Sequence, residues 1–122
     1  MILNLTDISS EPLQSQISRQ IRAKILAGEL VAGSSLPSIR GFAKGHRVSV
    51  ITVQRAYDSL YHEGLIHSRR GKGFFVSELT NNAKKKMAKQ RLEEKLESPV
   101  AAALAEGLTA EDIHEIVANI LT

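Results

Sequence analysis

Ser49, Thr52, Gln54 and Arg55 fall within one short stretch, and Arg69-Arg70-Gly71-Lys72-Gly73 follows soon after. The first set brings together two hydroxyls, an amide and a guanidinium. A hydroxyl caps a helix or donates to a phosphate. A Gln can pair bidentately with adenine and an Arg with guanine or a phosphate, each worth about 1–3 kcal/mol of discrimination when well placed. At 100° per residue Gln54 and Arg55 point in different directions, so both need not reach bases. The second set places cations around glycines, where the backbone can approach a duplex closely and the cations can follow the negative potential of a narrow minor groove. Ser38 and Arg40, just after Pro37, add a hydroxyl and a guanidinium at a helix start, where outward amides favour an anion.

Each of these residues also has a plainer role. Ser49 caps a helix whatever else it does, Arg40 can be a solvated surface cation, and residues 69–73 can be an ordinary hairpin tip. Val50 and Ile51 are apolar beside the cap. Contact with thymine methyl groups and packing on the helix beneath both account for them.

The elements that must carry these groups follow from periodicity and punctuation. Residues 1–12 read as irregular, with Pro12 opening a helix in which Leu13, Ile17, Ile21 and Ile25 recur every four residues and Leu26 widens the stripe. Ser18, Arg19, Arg22 and Lys24 are expected to face away from that stripe, and Gly28 to stop the helix in a left-handed conformation. Gly33 and Ser34-Ser35-Leu36 suggest a turn and a short strand. Pro37 and Ser38 open a brief second helix with Ile39, Phe42 and Ala43 on its buried side. Gly45-His46-Arg47-Val48 reads as the turn to a third helix capped by Ser49. There Val53, Ala56, Tyr57 and Leu60 face inward, while Ile51, Gln54, Arg55, Asp58 and His62 face out, and Gly64 ends the helix. Residues 65–69 and 74–77 then form two strands around a turn at Arg70-Gly71-Lys72-Gly73.

Beyond Leu79 the texture changes. Thr80-Asn81-Asn82 reads as a boundary, and Ala83 to about Ala105 as a long helix with Ala88, Leu92, Leu96, Val100, Ala103 and Leu104 on one side. Pro99 is expected to kink or split it near Glu97-Ser98. After Gly107, Thr109 with Asp112 forms a capping-box start for a last helix carrying Ile113, Ile116, Val117, Ile120 and Leu121. The fold class is therefore mainly α with a small β-hairpin wing. A winged helix-turn-helix occupies residues 1–79 and a helical tail residues 80–122.

Charge sharpens this reading. The net charge is +3, yet residues 38–73 hold seven Lys or Arg against Asp58 and Glu63, a local balance of +5. Positive charge gathers where the contact residues lie, as a phosphate-facing surface requires. The run Lys84-Lys85-Lys86 with Lys89 reads as an exposed helix face.

Several functions find no support. There is no cysteine, so disulfides and thiolate metal sites are excluded. His46, His62, His67 and His114 lack ligand spacing and read as surface or turn residues; no metal or cofactor is expected. Gly71-Lys72-Gly73 lacks the remaining residues of a phosphate-binding loop, and no nucleophile elbow or other catalytic signature is found, so no enzyme is expected. Asn4-Leu5-Thr6 is a formal glycosylation sequon without secretory context. No signal-like or membrane-spanning run exists, and a cytoplasmic location is expected.

Two runs of residues resemble the DNA-binding domain of the GntR family of bacterial transcription regulators. The first is Pro12-Leu13…Gln16-Ile17, Ile25…Gly28…Leu30…Gly33…Leu36-Pro37-Ser38…Arg40…Ala43. The second is Val48-Ser49…Thr52-Val53…Ala56-Tyr57…Leu60…Glu63-Gly64-Leu65-Ile66…Gly71…Gly73…Val76. The short two-helix tail resembles the YtrA-like subfamily. Gln14 stands where the family usually has Tyr, Gly45-His46 replaces a more apolar pair, and Val50-Ile51 replaces polar or basic groups.

The resemblance implies that Arg40 and Gly71 contact DNA and that the chain is a transcriptional regulator, of repressor type. It also implies a homodimer joined through the tail, with Leu92, Leu96, Val100, Leu104, Ile113, Ile116, Val117, Ile120 and Leu121 in the interface. Two subunits imply a roughly palindromic double-stranded DNA operator, with half-sites about 34–36 Å apart or a multiple of that. A small-molecule effector has no recognisable ligand constellation here. The rival reading is a winged-helix protein-interaction module without specific DNA binding, which the +5 balance over 38–73 disfavours.

Overall fold

Ile17, Ile21 and Ile25 are fully buried on one face of helix α1 (Leu13–Leu26) in the computed structural model, which describes residues 1–122. Burying each such side chain contributes about 1.5–3 kcal/mol. Pro12 occupies the N-cap, and Gly28, at φ 84°, takes the left-handed position beyond the helix end. Helices α2 (Ile39–His46) and α3 (Val50–His62) follow, then strands β1 (Ile66–Arg69) and β2 (Gly73–Val76), and finally α4 (Asn81–Ala105) and α5 (Ala110–Leu121). The chain forms two compact units, residues 1–81 and 82–122.

In the first unit α3 packs on α1 and α2, burying Val53, Ala56, Tyr57 and Leu60 as the spacing predicts. Phe42 and Ala43 supply the buried side of α2, with Ile39 half-buried. The strands pair antiparallel, Ile66 opposite Val76 and Arg69 opposite Gly73. Residues 33–36 run along the far side of β2: Leu36 N donates to Phe74 O at 2.9 Å and Val76 N to Ser34 O at 2.9 Å, with a bridge at Ser35 and Phe75. Three helices and a hairpin in this order make a winged helix-turn-helix, and α4 and α5 extend it.

Several expectations need correction. Ser18 and Arg22, placed off the isoleucine stripe, are buried all the same; the Arg22 guanidinium grips the Glu63 carboxylate bidentately at 2.7 Å, tying α1 to the end of α3. Gly45 and His46 belong to the last turn of α2, so the turn is shorter than Gly45–Val48. Arg47, not a glycine, takes the left-handed conformation there, at φ 55°. Gly73 opens β2 instead of lying in the hairpin turn. Helix α4 begins at Asn81 and runs through Pro99 as one helix, so it is not split. Proline removes one backbone donor, and Lys95, whose carbonyl loses its partner, is exposed to water.

The irregular N-terminal arm is anchored by side-chain amides. Gln16, only 2% exposed, accepts from Thr6 N at 3.0 Å and donates to Thr6 O and Glu11 O, both at 2.8 Å. One turn on, Gln20 accepts from Asn4 N at 3.0 Å and donates to Asn4 O at 2.7 Å. Two glutamines on one face of α1 thus pair with arm backbone as a strand would. Leu3 is buried, and its N–H donates to His46 Nε2 at 3.1 Å. His46 stacks on Phe42 and is half-buried, so it is neither a turn nor a surface residue.

The second unit has a different texture. Gly107, at φ 96°, ends α4, and Thr109 with Asp112 forms the reciprocal capping box that starts α5. The Thr109 hydrogen bonds hold the Asp112 carboxyl below its ordinary pKa. Neither α4 nor α5 buries a single residue.

Candidate nucleic-acid interface

Two serine caps position the site. Ser38 Oγ accepts from Gly41 N at 3.0 Å and starts α2, leaving Arg40 exposed in its first turn. Residue 41 is glycine for a local reason: a Cβ there would lie 2.8 Å from the capping hydroxyl. Ser49 Oγ accepts from Thr52 N at 3.1 Å and starts α3.

The Ser49 and Thr52 hydroxyls also share a hydrogen bond at 2.7 Å, in which either can donate. Two hydroxyl protons serve one such bond, so one proton remains for an outside acceptor, as a phosphate oxygen at a helix N-terminus would be. Gln54 and Arg55 are exposed one step further along α3.

Tyr57 locks these pieces together. Its hydroxyl donates to Pro37 O at 2.8 Å, directly before the Ser38 cap, and its ring meets Phe42 and Phe74 edge-on. One side chain of α3 therefore fixes the start of α2 and the second strand of the wing. Burial holds the Tyr57 phenol well above its ordinary pKa, so it stays a donor.

The wing turns at Arg70-Gly71-Lys72, all exposed, with Lys72 N donating to Arg69 O at 2.9 Å. Gly71 at φ 75° and Gly73 at φ 97° hold conformations that side chains resist, and a Cβ at either would meet open space. The Arg69 guanidinium lies 4.6 Å above the Phe75 ring, which orients it while leaving its N–H edge free.

The charges divide by location. The α1 cations are paired within the protein, as Arg19–Glu11, Arg22–Glu63 and Lys24–Glu29. Arg40, Arg55, Arg69, Arg70 and Lys72 make no such pair. Arg47, in the helix-turn-helix turn, is a further exposed cation that the sequence reading did not single out; its left-handed backbone had no glycine or asparagine to signal it.

The expected tail residues lie on the other unit. Leu92, Leu96, Leu104, Ile116, Val117, Ile120 and Leu121 are exposed, and Val100 and Ile113 are half-buried. Leu108, 39% exposed between the helices, joins them unforeseen. No helix is long and apolar enough to cross a membrane.

Comparison with known proteins places this geometry. The family model for bacterial regulatory proteins, gntR family, matches residues 13–76. The HTH-type transcriptional repressor YtrA of Bacillus subtilis (strain 168) is 33% identical over 115 residues, covering 92% of this chain and 86% of its own. A crystal structure of a transcriptional antiterminator from Listeria monocytogenes EGD-e superposes with a TM-score of 0.76 at 28% identity, over 100% of this chain and 91% of that one. The DNA-binding domain of AraR in complex with operator ORE1 superposes with a TM-score of 0.52 at 25% identity, over 63% of this chain and 94% of that one.

Proposed function

The chain belongs to the gntR family of bacterial regulatory proteins, and on that premise we propose that this DNA-binding transcriptional regulator is a dimeric repressor of a roughly palindromic operator. Each subunit sets the cap residue Ser49 and Thr52, Gln54 and Arg55 of α3 into a major groove. Ser38 and Arg40 meet the flanking phosphates, and Arg69, Arg70, Gly71, Lys72 and Gly73 of the wing follow the adjacent minor groove. The observation that carries this reading is the division of charge: cations on α1 are neutralised within the fold, while those on α2, α3 and the wing are left for an external anion.

The dimer rests on the tail. Residues 82–122 hold apolar stripes with no buried residue, and a second copy of the same stripes would cover them. The name of the Bacillus relative supports repression as the sign of regulation. A regulator of this kind works in the cytoplasm, beside the chromosome.

Selection of duplexes from a random pool tests the reading. The expected result is enrichment of a two-fold symmetric site, bound with an affinity that falls steeply with salt as phosphate counterions are released. Arg40→Ala should weaken that binding with the melting temperature unchanged. Equal binding to every duplex, or no salt dependence, favours a protein-interaction module instead.

A further inference from the structure

Ile51 stands out on the exposed side of α3. Ile51, Gln54, Arg55 and Asp58 share one outward face by helical spacing, opposite the buried Val53, Ala56, Tyr57 and Leu60. Three of the four are polar, yet Ile51 is 60% exposed with its neighbour Val50 39% exposed. A lone exposed apolar side chain is ordinary on a protein surface. Here it sits in the first turn of α3, next to the Ser49–Thr52 hydroxyl pair and one turn from Gln54 and Arg55.

The surface that meets this face in the DNA-binding reading is the edge of base pairs in a major groove. That edge presents hydrogen-bond donors and acceptors and one apolar group, the C5-methyl of thymine. Ile51 has no donor or acceptor to offer, so the methyl is the one feature there it can match. A β-branched side chain on a helix is held near one χ1 rotamer, so little side-chain freedom is lost on contact.

We propose that Ile51 reads the C5-methyl group of a pyrimidine, so that each operator half-site carries a methylated pyrimidine facing the start of α3. This rests on the DNA-binding function proposed above and adds to it the chemical feature read at one position. Any C5-methylpyrimidine satisfies it, so 5-methylcytosine is favoured over cytosine at the same place.

The test uses the full-length chain and the duplex selected from the random pool. Each thymine is replaced in turn by deoxyuracil, which removes the methyl and nothing else. One thymine per half-site should lose about fourfold in affinity on replacement, the scale of burying one methylene-sized group. Ile51→Ala should bind the thymine and deoxyuracil duplexes equally well, at the weaker level, while Ile51→Val should keep the preference. At that position 5-methylcytosine should outbind cytosine by a similar factor with the natural chain. Melting temperatures of both variants check that the fold is intact.

Insensitivity to deoxyuracil at every thymine overturns the proposal, as does an Ile51→Ala protein that keeps the full preference. A pool from which no duplex is enriched removes the DNA-binding reading and this one together. Enrichment without methyl sensitivity removes this one alone.

Discussion

Leu60 on α3 is fully buried, whereas Leu92 on α4 is 58% exposed, although each belongs to a helix with apolar residues at four-residue spacing. The same pattern has two outcomes. In residues 1–81 three helices and a hairpin give each apolar stripe another to pack against, and the core closes around Tyr57, Phe42 and the isoleucines of α1. In residues 82–122 two helices leave theirs bare. Periodicity tells which side of a helix is apolar; it does not tell whether that side is covered by the same chain or by another copy.

The largest test of this contrast is electrostatic. Leu96→Glu together with Ile120→Glu should convert a dimer to a monomer by light scattering. Operator affinity should then fall about 10²–10⁴-fold, because two linked half-site contacts become two separate ones. A variant that stays dimeric would show that the tail stripes are not the interface. Next in size, Leu60→Ala should cost about 2–5 kcal/mol of stability by chemical denaturation, since it leaves a cavity in a closed core. Leu92→Ala in dilute, dissociated protein should stay within about 0.5 kcal/mol. Similar losses at the two positions would erase the distinction between the units.

Gln16→Ala should cost about 1–3 kcal/mol, because it removes the three hydrogen bonds that the buried Gln16 amide makes to the arm backbone. Hydrogen exchange should quicken at the Thr6 amide before it does in α3, and unchanged exchange would mean the arm is held by other contacts. Tyr57→Phe should cost about 1 kcal/mol for the lost hydrogen bond to Pro37 O. Its pH dependence is diagnostic. Burial raises the folded pKa above the ordinary value of 10.0, so the neutral phenol's contribution is intact below pH 10. It declines as the pH rises above that value, where the unfolded chain ionises first. Tyr57→Phe should remove that alkaline slope, and a slope that persists would assign it to another group.

Much of the fold could be read from local signals. Ser38 and Ser49 announced their helices because a capping hydroxyl is a short-range device, and Gly28 and Gly64 announced helix ends because few residues adopt their backbone conformation. The inward face of α3 followed from periodicity alone. Other features depended on the tertiary fold. Gln16 and Gln20 look like solvated polar residues until an extended arm lies beside them. Arg22 looks like a surface cation until Glu63, distant in sequence, closes on it. Gly45 looked like a helix stop, but α2 continues through His46, whose ring finds Phe42 and the amide of Leu3. Pro99 suggests a kink or a split, yet the helix stays whole because the carbonyl that loses its donor, on Lys95, faces water. The positions of the proposed contact residues were legible, because caps, an outward helix face and a glycine-bounded turn are all local. Which of them touches a base was not, because that is settled by the duplex.

The central claim is that residues 38–40, 49–55 and 69–73 form the surface that meets DNA. Titrating the ¹⁵N-labelled full-length chain with its selected operator duplex and following each backbone amide tests it most directly. The predicted result is perturbation concentrated in those three segments, with the interior amides of α1 unmoved. Perturbation confined to residues 84–121, with the start of α3 and the wing silent, would contradict it.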